Sequence, residues 1–449
     1  MPPTLPQPTR LYFQGNAVFD TGFIFDFETQ RREAHYAAQM LDHLRENHPE
    51  LQWSGEGGSF EIGGSVDNYS PPKVRGVVSA DVSEAVERKV FPLRIDGQRT
   101  VECRISDVRA DIYLFNVGVM QFRLDIPADT WTDLDTLVRV RSFVQKHDHP
   151  PEEFGLNVES LLGPSVGQVR RALAEAVHAT RAPLLDTPYL DFMMVLGGFE
   201  TEIRWTHATL VALMPEPFDP DGEHFKPVLL NVNPDGIQNF ASREDHFAFV
   251  EAGDSLVCVP AVEAGGRPPE QIAYEDWVQW IALHQYTWKM AWELDRGMYA
   301  VLNEATSELK NKRSSGLYRD VHALTALLNY IWLLLDTHVP HNMTLVYHDI
   351  HFLRRISDSW LTDEILQGAH EKMAALRELI AQLDEMEEIR RARALEFFLT
   401  IVGVFSLGSL VLDFLGAMSF GAGLTDLQVA GAMVGILAVF MALAYRLSR

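Results

Sequence analysis

Two apolar segments near the C-terminal end of this 449-residue chain constrain its fold more than any other feature. The first covers Leu395–Leu415 and the second covers Leu427–Tyr445. Each has about the 20 residues that a helix needs to cross roughly 30 Å of hydrocarbon. The segment between them, Gly416–Asp426, is too short for a domain. The sequence therefore predicts two transmembrane helices joined by a short turn.

The positive charges around these segments predict their orientation. Arginines lie just before the first segment and just after the second, whereas the turn contains no Lys or Arg. Positively charged flanks stay on the cytoplasmic side of a membrane. The sequence therefore predicts that both ends of the chain are cytoplasmic. An alternative is that the two helices only tether the preceding residues to the membrane.

The composition excludes some classes of protein. A formal net charge of −24 argues against a DNA- or RNA-binding protein, which needs a basic surface. The only two cysteines are Cys103 and Cys258. Two isolated thiols fit a reducing compartment and give neither a disulfide framework nor a zinc site.

The residue pattern predicts four parts. These are a disordered N-terminus (1–15), an α+β cytoplasmic domain (16–270), a helical bundle with a long stalk helix (271–394), and a transmembrane hairpin with a short basic tail (395–449). Strand-like alternation predicts the strands Val90–Ile95, Thr100–Ile105, Thr201–Met214 and Phe247–Val259, and two strands within Ala110–Ile126 joined around Asn116–Gly118. Helical spacing predicts the helices Glu33–Glu46, Leu134–Lys146, Val166–Thr180, Tyr274–Glu308 and Asp320–Leu335. A last helix starts near Trp360–Asp363 and meets no proline before Leu415.

One face of the first apolar segment is small and polar and is a candidate pore lining. Small residues allow helices to approach closely, and an ionisable residue within a span usually faces a cavity or a partner. In a ring of identical subunits, Asp413 forms a carboxylate ring that favours cations. The alternative places Asp413 at the membrane interface, just outside the hydrocarbon. The predicted pore-lining residues are Gly403, Ser406, Ser409, Leu410, Asp413, Gly416 and Ala417.

Four acidic residues precede the first apolar segment and are candidates for the inner mouth of such a pore. They would concentrate cations there. Alternatively, they form a solvated helix face that pairs with the nearby arginines. These residues are Asp384, Glu385, Glu387 and Glu388.

A compact basic group is a candidate contact for a phosphate or a nucleotide, because Lys and Arg donate charge-assisted hydrogen bonds to phosphate oxygens. The alternative is a turn that connects two helices. The group comprises Lys310, Lys312, Arg313 and Arg319.

The predicted layout resembles the CorA-like family of divalent-cation channels. The resemblance rests on the large α+β domain, the long helix that enters the first span, the short turn, the second span and the basic tail. At the place of the family's Gly-Met-Asn signature, this chain reads Gly416-Ala417-Met418. The resemblance implies a homopentamer in a bacterial inner membrane, with the first span lining the pore. It also implies Mg²⁺ or another divalent cation as the transported or regulatory ion.

Two functions follow as hypotheses. The first is an oligomeric cation channel or transporter gated by its large cytoplasmic domain. The second is an antiviral-defence effector similar to the CorA-like proteins associated with type III CRISPR, whose cytoplasmic domain binds a nucleotide messenger and whose spans disrupt the membrane. No phosphate-binding glycine loop, nucleophile elbow or catalytic triad is recognisable, so we do not expect an enzyme.

Overall fold

The computed structural model describes residues 8–24, 35–54, 78–113, 115–146, 148–181, 203–215, 225–229, 237–241, 245–311 and 347–422, together with Gly431 and Gly435. The chain divides into two compact units. The first unit contains Met1–Glu304 and Ala323–Met373, and the second contains Ala305–His322 and Ala374–Arg449.

A nine-stranded sheet forms the centre of the first unit. Its strands are β1 (Arg10–Ile24), β2 (Trp53–Ser54), β3 (Val78–Asp81), β4 (Val90–Arg94), β5 (Thr100–Ile112), β6 (Phe115–Asp125), β7 (Ile203–Met214), β8 (Phe247–Val250) and β9 (Asp254–Pro260). The order across the sheet is β2-β3-β5-β6-β1-β7-β9-β8, and β4 pairs with β5. All these pairs are antiparallel except β7 with β9.

The described helices of the first unit lie between and after these strands. They are α1 (His35–Asn47), α2 (Leu134–Gln145), α3 (Pro151–Phe154), α4 (Val158–Thr180), α5 (Pro269–Ala273), α6 (Gln279–Asn311) and α7 (Tyr347–Ser359). A five-residue π-helical segment, Tyr274–Val278, connects α5 with α6. The last turns of α6, from Ala305, belong to the second unit.

The sheet has one apolar and one polar face, because side chains alternate along each strand. The apolar face includes Phe13 and Phe19 of β1 and Phe122 of β6, which are fully buried. Helix α2 contacts β7, and helix α4 contacts β1 and α1. Asn157 caps the start of α4 in a capping box with Ser160. The main apolar core therefore lies between this face and the helices α2 and α4.

The predicted α+β domain is confirmed, but several boundaries were wrong. Arg10–Ile24 is a central strand rather than the end of a disordered N-terminus, because its residues alternate between the two faces of the sheet. Helix α4 begins before Pro164 rather than at Val166. The predicted strand Phe247–Val259 is two strands, since Gly253 turns the chain with φ +115°. The predicted turn at Asn116–Gly118 lies earlier, between β5 and β6.

The boundary predicted at residue 270 also shifts. Helix α5 contacts β9 and β7, and helix α7 contacts β8. Residues through Glu304 group with the sheet rather than with a separate bundle. The predicted helix Asp320–Leu335 lies outside the described residues.

Helix α8 (Thr362–Ala422) is 61 residues long and starts where the sequence predicted. Across the described part of the chain, no helix combines the length and the apolarity needed to cross a membrane. The first predicted span lies within α8, whose side chains from Val411 onward are outside the description. The second predicted span lies outside the described residues, apart from Gly431 and Gly435. The two transmembrane helices are therefore not shown.

Candidate functional site

The polar face of the sheet, where β1, β6 and β7 lie side by side, is the candidate site of the first unit. Helix α6 covers it through side chains on successive turns. Buried polar residues are unusual at such a position, because each must find a hydrogen-bond partner to offset its loss of water. The buried polar side chains of this face are Gln14, Asn16, Asp20, Ser79, Asp111, Gln121, His207, Thr209 and Ser255.

Asp111 accepts the hydrogen bonds of three neighbours. Ser79 Oγ donates to Asp111 Oδ1 at 2.6 Å and Arg109 Nε donates to the same oxygen at 2.8 Å. Gln121 Nε2 donates to Asp111 Oδ2 at 2.7 Å. The Asp111 side chain is buried, whereas the Arg109 side chain is 45% exposed. The carboxylate is therefore paired with a guanidinium that reaches solvent.

Three tyrosines lie between the surroundings of this carboxylate and the covering helix. The rings of Tyr113, at the end of β5, and Tyr286, on α6, stack with their centroids 4.3 Å apart. Burial raises the pKa of Tyr113 well above its usual value and raises the pKa of Tyr274 to about 12. Both phenols are therefore neutral at physiological pH. Tyr274 opens the π-helical segment, a distortion often found at functional sites.

We call Asn16, Gln121, His207 and Gln285 the amide centre. Asn16 pairs with Gln121 on β6 and with His207 on β7, so the three side chains lie in a row on one face. Gln285 of α6 donates from Nε2 to the backbone oxygen of Asn16 at 2.9 Å. Burial lowers the pKa of His207 to about 3, so its imidazole is neutral. The centre joins three adjacent strands and the covering helix.

A second group of side chains, contributed by α6 and by the strands β1 and β7, carries charge. Arg204 Nε donates to Asp20 Oδ2 at 2.7 Å, and Lys289 Nζ lies 3.9 Å from Asp20 Oδ1. Lys289 also forms an ion pair with Glu293, one turn further along α6. We call Asp20, Arg204, Lys289 and Glu293 the charged cluster. Its two acids and two bases balance, which lowers the cost of burying them.

Helix α6 also contacts the first residue of α8. His284 Nε2 lies 2.9 Å from Thr362 Oγ1, and both side chains are buried. Trp360, two residues before α8, packs edge-on against Trp205 of β7 with ring centroids 4.9 Å apart. His284 and Gln285 are neighbours in the sequence. Two consecutive residues of α6 thus connect the start of α8 with β1.

The predicted site residues lie on α6, on α8 or outside the described residues. Lys310 lies on α6, and Lys312, Arg313 and Arg319 are outside the described residues. The four predicted acids lie on α8, where Asp384 is half-buried and Glu385 and Glu388 are exposed. Gly403, Ser406, Ser409 and Leu410 are exposed on the same helix. Asp413, Gly416 and Ala417 follow on α8, and their side chains are outside the description.

Metal ligands are not gathered in the described part of the chain. There, no group of three or more His, Cys, Asp or Glu side chains could hold a metal ion. The thiols of Cys103 and Cys258 are buried, and burial raises the pKa of each to about 12. Both therefore remain protonated and unreactive. The polar face can fix the position of α6 through the hydrogen bonds and ring contacts described above.

The sequence contained two signals for this site that our reading missed. One is the alternation of Gln14, Asn16 and Asp20 with apolar residues in a segment expected to be disordered. The other is the polar series Gln285, Lys289 and Glu293, spaced by four residues within an aromatic-rich helix. The second signal is masked by its aromatic neighbours Trp277, Trp280 and Tyr286, which are buried and make the segment resemble an ordinary apolar core helix.

Comparison with protein-family models, curated proteins and solved structures found no match for this chain.

Proposed function

We propose that this chain is a homo-oligomeric, cation-conducting membrane protein whose sheet unit controls conduction. The observation that carries the proposal is the surface of helix α8. Its first turns hold the buried residues Ala369 and Met373. Further along the same helix, large apolar side chains are exposed: Leu395 by 64%, Phe398 by 62%, Leu399 by 59% and Leu410 by 68%.

Large apolar side chains exposed in this number need a cover. Large exposed apolar patches mark contacts with a membrane or with other protein chains. The sequence favours the membrane, because Leu395–Leu415 is long enough to span hydrocarbon and Leu427–Tyr445 is long enough to return. One chain would contribute only two spans, so a pore needs several copies in a closed ring. The resemblance to CorA-like channels favours five copies and a divalent cation.

Control by the sheet unit is supported by helix α6. His284 contacts Thr362 at the start of α8, while Gln285 contacts Asn16 of β1. A shift of α6 on the sheet would therefore move the first turn of α8. No described residue specifically favours the nucleotide-controlled effector, so that function stays a prediction.

The proposal is tested first with the full chain in cell membranes. We expect it to sediment with the membranes and to resist extraction with alkaline carbonate, which removes peripheral proteins. Native mass spectrometry of the detergent-solubilised protein should then give a closed oligomer, and liposomes that contain it should take up Mg²⁺ or another cation.

Each step can fail separately. Release by carbonate would contradict the membrane spans, and a monomer or dimer would contradict the pore. A closed oligomer that passes ions only after addition of a small nucleotide would favour the effector instead.

A further inference from the structure

The amide centre contains buried polar atoms that have no hydrogen-bond partner among the described residues. They are Asn16 Nδ2, Asn16 Oδ1, Gln121 Oε1, His207 Nδ1 and Gln285 Oε1. Asn16, His207 and Gln285 have no exposed surface, and Gln121 has almost none. Leaving so many buried polar atoms unpaired would cost an appreciable part of the stability of a domain. Something must therefore contact them.

The orientation of the two glutamine amides is fixed by their partners. Gln285 Nε2 donates to a backbone carbonyl oxygen, and Gln121 Nε2 donates to the Asp111 carboxylate. Neither partner can donate a proton in return, so the amide groups cannot be flipped. The oxygen atoms of Gln121 and Gln285 are therefore the unpaired atoms, and both are acceptors.

The tautomer of His207 follows from the next two hydroxyls. Ser255 Oγ donates to Thr209 Oγ1 at 2.7 Å, so its proton is already used. His207 Nε2 lies 3.1 Å from Ser255 Oγ and must donate to it. His207 Nδ1 then carries a lone pair and is an acceptor. The amide centre thus presents the acceptors of Asn16, Gln121, His207 and Gln285 and one donor, Asn16 Nδ2.

This set of atoms selects the occupant. An anion could accept from Asn16 Nδ2 but could not donate to the acceptors. A bare cation could bind the acceptors but could not accept from Asn16 Nδ2, and its buried charge would lack a counter-charge. Only an uncharged group that both donates and accepts fits all the atoms. Water has these properties, and buried water typically makes about three such bonds.

We propose that the amide centre is a binding site for at least two buried water molecules, through which α6 rests on the sheet. The unpaired atoms include four acceptors, one each on Asn16, Gln121, His207 and Gln285. A water molecule has two protons and can donate to only two acceptors, so one water molecule cannot satisfy all four.

The water completes the contact between α6 and the sheet. Gln285 already donates directly to the backbone of Asn16, and bridging water satisfies the remaining atoms with hydrogen bonds nearly as favourable in enthalpy as direct ones. The amide centre therefore holds α6 on β1 without leaving a buried polar atom unpaired. This contact does not depend on the membrane proposal.

The test is a high-resolution density map of the full-length protein. We expect at least two isolated peaks, each about 2.7–3.2 Å from two or more of the unpaired atoms. Direct bonds among these atoms with no peak would overturn the proposal. So would a side chain from outside the described residues that reaches them. A peak that is replaced by Tl⁺ when the protein is prepared in thallium salts would identify a cation and would also overturn it.

A second measurement counts the water in solution. Oxygen-17 relaxation dispersion detects water molecules that stay bound longer than the protein takes to tumble. We expect the Asn16→Leu variant to lose at least two of them, and the matched Gln98→Leu variant, changed at an exposed amide, to lose none. Equal numbers in all three proteins would contradict the proposal. If Asn16→Leu does not fold, the map of the unaltered protein decides alone.

Discussion

At the scale of single residues, two glycines on the apolar face of the sheet lie beneath aromatic rings. Gly15 of β1 pairs with Phe122 of β6, and Gly118 of β6 pairs with Phe19 of β1. A Cβ atom would lie 2.1 Å from Phe122 Cζ at Gly15 and 2.2 Å from Phe19 Cζ at Gly118. Each ring therefore occupies the space that a side chain on the glycine would need.

We expect Gly15→Ala to destabilise the protein, because the Phe122 ring is fully buried and has no free space to move into. Overpacking of this kind typically lowers the free energy of unfolding by about 1–3 kcal/mol. The matched variant is Gly97→Ala, where a Cβ would meet nothing within 4 Å. Its effect should stay within about 0.5 kcal/mol. Denaturant unfolding of both variants checks the difference, and equal effects would contradict it.

His284 makes stability depend on pH. Burial lowers its pKa to about 3, below the value of about 6.5 in an unfolded chain. Between these values the unfolded state binds more protons than the folded state. The contribution of the neutral, buried His284 to the free energy of unfolding is therefore complete above about pH 6.5 and declines as the pH falls. At about pH 5 the loss is about 2 kcal/mol for one such group.

The variant His284→Gln should remove this dependence. We expect the unaltered protein to lose about 2 kcal/mol more of its free energy of unfolding than the variant does when the pH is lowered from about 7.5 to about 5. Comparing the two proteins at each pH cancels the titration of other groups, such as Asp254. The control, His178→Gln, changes an exposed histidine and should show no trend. A pH-independent difference for His284→Gln would show that the buried histidine does not titrate as expected.

At the scale of elements, helix α6 joins the sheet through polar side chains on successive turns. Gln285 belongs to the amide centre, and Lys289 and Glu293 belong to the charged cluster. An apolar helix face could slide or rotate on a sheet at little cost, whereas buried polar partners must match atom by atom. The pairing of α6 with β1 is therefore specific in position.

We expect Lys289→Met to be strongly destabilising, because it leaves the buried Glu293 carboxylate without its ion pair and takes one cation from Asp20. Removing one partner of a buried pair typically costs about 3–5 kcal/mol. The matched variant is Lys372→Met, whose pair with Asp295 is partly exposed. That pair should contribute less than about 1 kcal/mol. If thermal unfolding showed similar losses of stability for the two variants, burial would not be what makes the Lys289 pair important.

The elements also show how far the sequence could predict the structure. The predictions of helix α2 and of the start of α8 were correct, because residues close in sequence mark these helix boundaries, as the Asp133 cap does for α2. The strand β1 was missed because its partners, β6 and β7, are distant in sequence. The amide centre was missed for the same reason, since no local pattern shows that Asn16, His207 and Gln285 meet.

At the scale of the whole molecule, the proposed pore depends on Asp413. We expect Asp413→Asn to lower the permeability of cations relative to anions by about tenfold, which corresponds to about 1.4 kcal/mol, because a carboxylate ring attracts cations. The control is Asp426→Asn, an acid in the predicted turn, which should change the ratio far less. Reversal potentials in planar bilayers measure both. An unchanged cation-to-anion permeability ratio in the Asp413→Asn variant would exclude Asp413 from the pore lining.

The position of β1 in the sheet has a consequence for synthesis on the ribosome. This strand is made before both of its partners, yet it lies between β6 and β7. Its first edge stays open until Phe115–Asp125 has been translated, and its second edge until Ile203–Met214 has followed. At about 5–20 residues per second, several seconds separate these events. An unpaired strand edge can pair with other chains, so the nascent protein is exposed to wrong association during that interval.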